Sequence, residues 1–248
     1  MPRVGTPAAL SFLRSWVEVN EFLGWVSRMA VQLEHEGLQR IVAKGDTLTP
    51  EMGAEIQAWV DEKSPGAEGR RRMQFFSQVI LTRHVENFEH YLSSLVHAIY
   101  LQRPETMRSS EAIEYDKVLV HGSMKALVAA LAEQKVHSFA YKSLDDMAAY
   151  FKRAFKIELG DAATVALLRD LVEVRNLSVH NRCLVNQRYL DRSKNRAYAV
   201  GTQRRIEDEE IGAMIPTLAK TVISLDRQAR NKLKIRGVRF PADLKSNW

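Results

Sequence analysis

DAATVALLRDLVEVRNLSVH, residues 161–180, carries the repeat of one amphipathic helix, with Val165, Leu168, Leu171, Val172 and Val179 recurring at spacings of three and four. Asp161 stands where an N-cap is needed, directly after Gly160. At about 100° per residue, Arg175 falls in the middle of the apolar stripe, while Asn176 and His180, four apart, lie together on its flank. Burying an unpaired guanidinium is costly, so an arginine in this position needs either a carboxylate partner within the protein or an anionic ligand. Both readings stay open at this level.

The same period continues on either side of this helix. Upstream, residues 9–44 carry Phe12, Trp16, Val19, Phe22, Leu23, Val26 and Met29 on one side, and Gly45 is a natural C-cap. Thr49, Pro50 and Glu51 have the chemistry of a helix start, predicting a second helix to about Lys63 and hence an N-terminal helical hairpin. The turn-rich SPGAEG, 64–69, predicts a break before the main body.

The longest pattern runs from Arg70 to Gln102, with Phe76, Val79, Ile80, Phe88, Tyr91, Leu92, Leu95 and Ile99 as its core face and Pro104 as its stop. Helices are expected over 115–134 and over 144–155, the latter capped by Ser143. Beyond His180, LVNQRYLDR reads as a short helix or turn and NRAYAVGTQRRI as a loop or hairpin. DEEIGAMIPTLAKTVISLDRQARNKL reads as a long helix with acidic residues at its start and basic ones at its end. The final GVRFPADLKSNW reads as a tail. Sparse Gly and Pro, helix-period patterns and few alternating runs predict an all-α fold, with no internal repeat.

Composition narrows the function. The chain has 248 residues and a net charge of +6, unevenly spread: residues 182–248 hold 15 Lys or Arg against 7 Asp or Glu, a net of +8 that leaves the first 181 at −2. Such a skew suits a polyanion, since each cation that contacts phosphate releases counterions; a solvated basic surface is the alternative. The single cysteine, Cys183, closes no intramolecular disulfide and argues against a zinc module, so a reducing, cytoplasmic compartment is expected. The N-terminal apolar run is broken by Arg14, Glu18 and Glu21, and no run of about 18 apolar residues occurs, so no signal peptide or membrane span is expected.

Other constellations carry less. His84, His90 and His97 share one helix, but only His90 and His97 share a face and no HExxH occurs, so solvent-facing or hydrogen-bonded histidines are expected and no metal site. His121 and His137 have no ligand neighbours in sequence. Walker-type and dinucleotide glycine loops and a GxSxG elbow are absent, so no cofactor is expected. Cys183 reads as a buried or incidental thiol, and the acidic run Glu207 to Glu210 as surface charge at a helix start. Arg175, Asn176 and His180 therefore concentrate the chemistry: a histidine that exchanges protons near neutral pH, a cation able to hold phosphate, and an amide to orient either.

At these residues the chain resembles the HEPN superfamily, helical domains marked by an arginine, four to six residues and a histidine, commonly with Asn directly after the Arg. Here the match is R-N-L-S-V-H, 175–180, and Asn181 also fits. The phrase VRNLSVHNRCLVNQRYL, 174–190, resembles a bacterial HEPN-like group of poorly defined function, in which a glycine is expected near Cys183. The resemblance spans about residues 69–233, leaves the N-terminal hairpin unmatched and implies an all-α helical bundle; together with the breaks above, the chain is expected to divide into a hairpin extension (1–66), the HEPN-like bundle (67–235) and a tail (236–248).

The resemblance also implies a metal-independent endoribonuclease whose two protomers pair so that two motifs line one cleft. In it the RNA 2′-hydroxyl is the nucleophile, His180 the general acid or base, Arg175 the stabiliser of the phosphorane and Asn176 a positioner of phosphate. Asn181 and Arg182 are expected to contact the RNA, with the basic region beyond tracking its backbone. A toxin–antitoxin or phage-defence setting, with a cognate antitoxin or partner protein, comes from the family. A non-catalytic module binding RNA, a nucleotide or a protein through the same cleft is the alternative, and a structural adaptor in which Arg175 is an internal ion-pair partner is a third reading.

Overall fold

Residues 4–42, 51, 67–108, 112–241 and 244 are described by a computed structural model, and they are mainly helical. In chain order they form strand β1 (Val4–Gly5), helices α1 (Pro7–Val42), α2 (Ala67–Gln102), α3 (Tyr115–Leu119), α4 (Met124–Ala140), α5 (Leu144–Tyr150), α6 (Ala162–Asn181), α7 (Gln187–Ser193) and α8 (Asp208–Leu233), and strand β2 (Val238–Arg239). The second helix expected over 51–63, and with it the hairpin and the Gly45 cap, lies outside the described residues apart from Glu51. Helix α2 begins at Ala67, so residues 67–69 of the expected break are already helical. No described helix is long and apolar enough to cross a membrane.

The core is organised around α2, which packs against α1, α4, α6 and α8. Its residues Val85, Phe88, Leu92, Leu95, Val96 and Ile99 are fully buried on several sides, as suits a helix surrounded by others. Towards its start Val79 is exposed, so the core face predicted for α2 is buried only from Ile80 onwards. The first turns of α1 (Ala8, Ala9, Phe12, Leu13 and Trp16) share this core, with Phe12 edge-on to Tyr91 at 5.8 Å. Asn87 donates to the Phe12 carbonyl (3.1 Å), so the N-terminal segment is packed into the body along this stretch. Its predicted stripe does not stay covered: Phe22, Trp25 and Met29 are exposed.

Three local expectations are corrected. The helix expected over 115–134 is two helices, α3 and α4, because His121 to Ser123 turn and the Ser123 hydroxyl caps α4 by accepting from the Ala126 N–H (3.1 Å). The segment read as a C-terminal tail instead pairs: β2 lies antiparallel to β1, Val4 opposite Arg239 and Gly5 opposite Val238, and Phe240 is buried. A side chain at position 5 would run into the Phe240 ring, so this close approach requires the glycine. Finally, Val179, assigned to the buried stripe of α6, is exposed, whereas Glu173 is buried.

His84 also departs from expectation, being neither solvent-facing nor hydrogen-bonded. Its ring is wholly buried against Trp16, centroids 4.7 Å apart, with no partner for either nitrogen among the described residues, and burial lowers its pKa from 6.5 to about 4. His90 lies 3.4 Å from the Ser94 hydroxyl. Among the described residues no three His, Cys, Asp or Glu side chains converge as a metal site.

Candidate functional site

Helix α6 starts where Asp161 accepts from the Thr164 N–H (2.8 Å) and ends at Arg182 in the left-handed region. Cys183 is left-handed too (φ 59°), and its N–H donates to the Leu177 carbonyl (3.1 Å). Two successive left-handed residues are what a glycine would ease, and this is the place where the resemblance led one to expect glycine. The tight stop holds the chain close to the helix end: Asn181 donates to the Leu184 carbonyl, and Leu184 bridges to Gln203. Asn186 then caps α7 by accepting from the Tyr189 N–H (2.8 Å).

Between α6, α7 and the turn joining α4 to α5 lies an open cleft of about 510 Å³. Arg175, Asn176, His180 and Asn181 all line it, so four of the five residues singled out in the sequence share one cavity. The fifth, Arg182, is exposed and does not line it; its carbonyl accepts from Gln203 (3.1 Å). Further lining residues carry no motif: Glu89 of α2, Tyr141 and Lys142 of the turn, Glu173 of α6, and Arg188 and Arg192 of α7. The last two are four apart on one short helix, a spacing readable in the sequence once α7 is known to face the cleft.

Arg175 is largely buried and ion-paired with Glu89 across the α2–α6 contact, side-chain exposures 17% and 24%. The guanidinium therefore has a carboxylate partner within the protein. Burial lowers the Arg175 pKa from its ordinary value, opposed by the nearby Glu86 carboxylate, and its Nε has no hydrogen-bond partner among the described residues. His180 is exposed on the last turn of α6. Asn176 hydrogen-bonds Glu173, whose pKa burial raises against the opposing pull of that bond and of Arg192, 3.8 Å away. Glu173, Asn176 and His180, at spacings of three and four, form one continuous stripe along the cleft wall.

Two ion-pair systems hold the walls in place. Arg169 of α6 grips Asp145 of α5 in a forked contact (2.8–2.9 Å), fixing the turn at 141–143 against α6. Behind the cleft, Arg204 is almost wholly buried and paired with Glu210 at the start of α8. It also reaches Asp170 (3.7 Å) and Tyr189 (3.3 Å) and lies over the Tyr198 ring at 4.9 Å. Tyr189 in turn donates to Asp170 (3.2 Å), and burial with the Asp170 charge pushes its phenol up to about 12. Glu207 and Glu210, read as surface charge, complete a capping box, and Glu210 additionally neutralises Arg204. The Cys183 thiol is buried and its pKa raised by burial, as expected of an inert cysteine.

Searches of family models, curated proteins and solved structures found no match to this chain.

Proposed function

We propose that the cleft handles RNA phosphates and that the protein is a metal-independent endoribonuclease of the HEPN type, built on a HEPN-like helical bundle and acting as a homodimer. The observation that carries this reading is the convergence of Arg175, Asn176, His180 and Asn181 in one open cavity with three more cations, Lys142, Arg188 and Arg192. Cations from three separate elements suit a phosphodiester better than a neutral ligand. In the reaction the RNA 2′-hydroxyl attacks its own phosphorus and the bond to the 5′-oxygen breaks, leaving a cyclic phosphate and a 5′-hydroxyl. His180, open to solvent, takes or delivers a proton, Arg175 offsets the charge of the phosphorane and Asn176 orients the phosphate. Attack and departure each need a proton carrier, and a twofold partner bringing its own motif to the cleft supplies the second. The exposed Arg182 extends the cationic track beyond the cleft, and a toxin or defence role, held in check by a partner protein, is the matching biological setting.

The Arg175–Glu89 pair favours a second reading, a module that binds RNA or a nucleotide without turnover, because the guanidinium already has a carboxylate partner. Purified protein incubated with labelled RNA in excess chelator separates the two. Cleavage with cyclic-phosphate ends, lost in His180→Ala, supports the nuclease; salt-sensitive binding without cleavage supports the module; cleavage unchanged in both His180→Ala and Arg175→Ala sinks the assigned site.

A further inference from the structure

The turn that forms the outer rim of the cleft presents a large aromatic ring to solvent. Tyr141 is 80% exposed, among the highest values for any large side chain described, yet it lines the cavity that holds Arg175, Asn176 and His180. It is also well anchored. Phe139, two residues earlier, is buried in the core, and Lys142 donates its N–H to the Phe139 carbonyl (3.0 Å). Ser143 caps α5 by accepting from Asp146 (3.2 Å), and Asp145 is gripped by Arg169 of α6. The His137 ring meets Tyr141 edge-on, centroids 5.0 Å apart and planes 61° apart, which restrains the phenol while leaving most of it uncovered.

An isolated exposed tyrosine is ordinary on a protein surface. A restrained one on the rim of a cation-lined cleft combines the two elements that single-stranded nucleic acid requires, a charge for the phosphate and a flat ring for the base. We infer that Tyr141 is a base-stacking platform, and that the cleft takes RNA whose base beside the bound phosphate is unpaired and swung out onto this ring. This rests on the phosphate-handling reading above and narrows its substrate to single strands, loops or bulges. In an A-form duplex the bases are stacked on their neighbours and no face is free to meet the phenol.

The test uses a fluorescent oligoribonucleotide made uncleavable by 2′-O-methyl groups, an abasic ribose-phosphate oligomer of the same length and a blunt RNA duplex, each titrated against wild-type, Tyr141→Ala and Tyr141→Phe protein. Tyr141→Ala should weaken single-strand binding about tenfold, the order that one base–aromatic stack supplies. Tyr141→Phe should bind within about twofold of wild type, and Tyr141→Ala should make no difference on the abasic oligomer. The duplex should bind more weakly than the single strand. An equal loss on base-bearing and abasic probes, or no loss on either, overturns the stacking role while leaving the phosphate reading intact. A fall in sedimentation mass accompanying the loss in Tyr141→Ala assigns the ring to a subunit contact and also overturns it. Failure of every RNA probe to bind wild-type protein at low salt removes the phosphate reading and this inference together.

Discussion

Breaking the Arg175–Glu89 pair asks directly whether the arginine serves the fold. A buried pair that loses one partner costs about 3–5 kcal/mol because the other charge is stranded, whereas an exposed pair is worth about 0–1 kcal/mol. With side chains 17% and 24% exposed, this pair lies nearer the first limit, and either Glu89→Gln or Arg175→Met should cost about 2–3 kcal/mol. For a chain of this size that lowers the thermal midpoint by about 4–12 °C. The double variant strands no charge and places apolar atoms at the α2–α6 contact, so it should be little worse than either single change. The coupling from a double-mutant cycle of urea unfolding should be about 2 kcal/mol. Additivity within about 0.5 kcal/mol would refute the reasoning and leave Arg175 free to act on a ligand alone.

Three other outcomes are expected. For His84, the folded pKa of about 4 lies below the ordinary 6.5, so between these values the unfolded chain binds a proton that the folded one refuses. Stability should therefore be intact above pH 6.5 and decline by about 3 kcal/mol as pH falls to 4. Urea midpoints at pH 7 and pH 4.5 should show a smaller decline in His84→Phe, and equal declines would contradict it. Cys183, buried with a raised pKa, should react with a chromogenic disulfide reagent only after denaturant is added, and fast labelling of native protein would be inconsistent with its placement. Ending the chain after Arg236 removes β2 and the buried Phe240, which should lower the unfolding free energy by about 3 kcal/mol or more, measured by urea titration; an unchanged midpoint would show that the segment adds nothing.

One wall of the cleft was legible in the sequence and the other was not. Arg175, Asn176, His180 and Asn181 follow each other along α6, so helical periodicity alone places them together, and the caps at Asp161 and Ser143 fix where α6 and α5 begin. Glu89, Tyr141 and Arg192 reach the same cavity from other elements, and nothing local relates position 89 to position 175. The apolar stripes of α1 and α6 run further in the sequence, to Met29 and Val179, than they are buried in the fold, because periodicity marks the face a helix can bury and not where its neighbour ends. Arg204 carries no periodic signal: it stands in the loop just before α8, and the bend that opens that helix brings Glu210, six residues on, to its guanidinium. Two-residue strands are too short to show alternation, which hid the pairing of β1 with β2.

That pairing has a consequence for synthesis. The Thr6 N–H bonds to Asp226, 220 residues later, and the Val4 carbonyl accepts from Arg230. At about 5–20 residues per second, this separation takes roughly 11–44 s to translate. Every residue lining the cleft, from Glu89 to Arg192, emerges before the segment that fastens the first strand. On the ribosome, all the residues that line the cleft are thus made while the clasp from α8 and β2 is still missing, and the first strand waits for a segment 220 residues later to hold it.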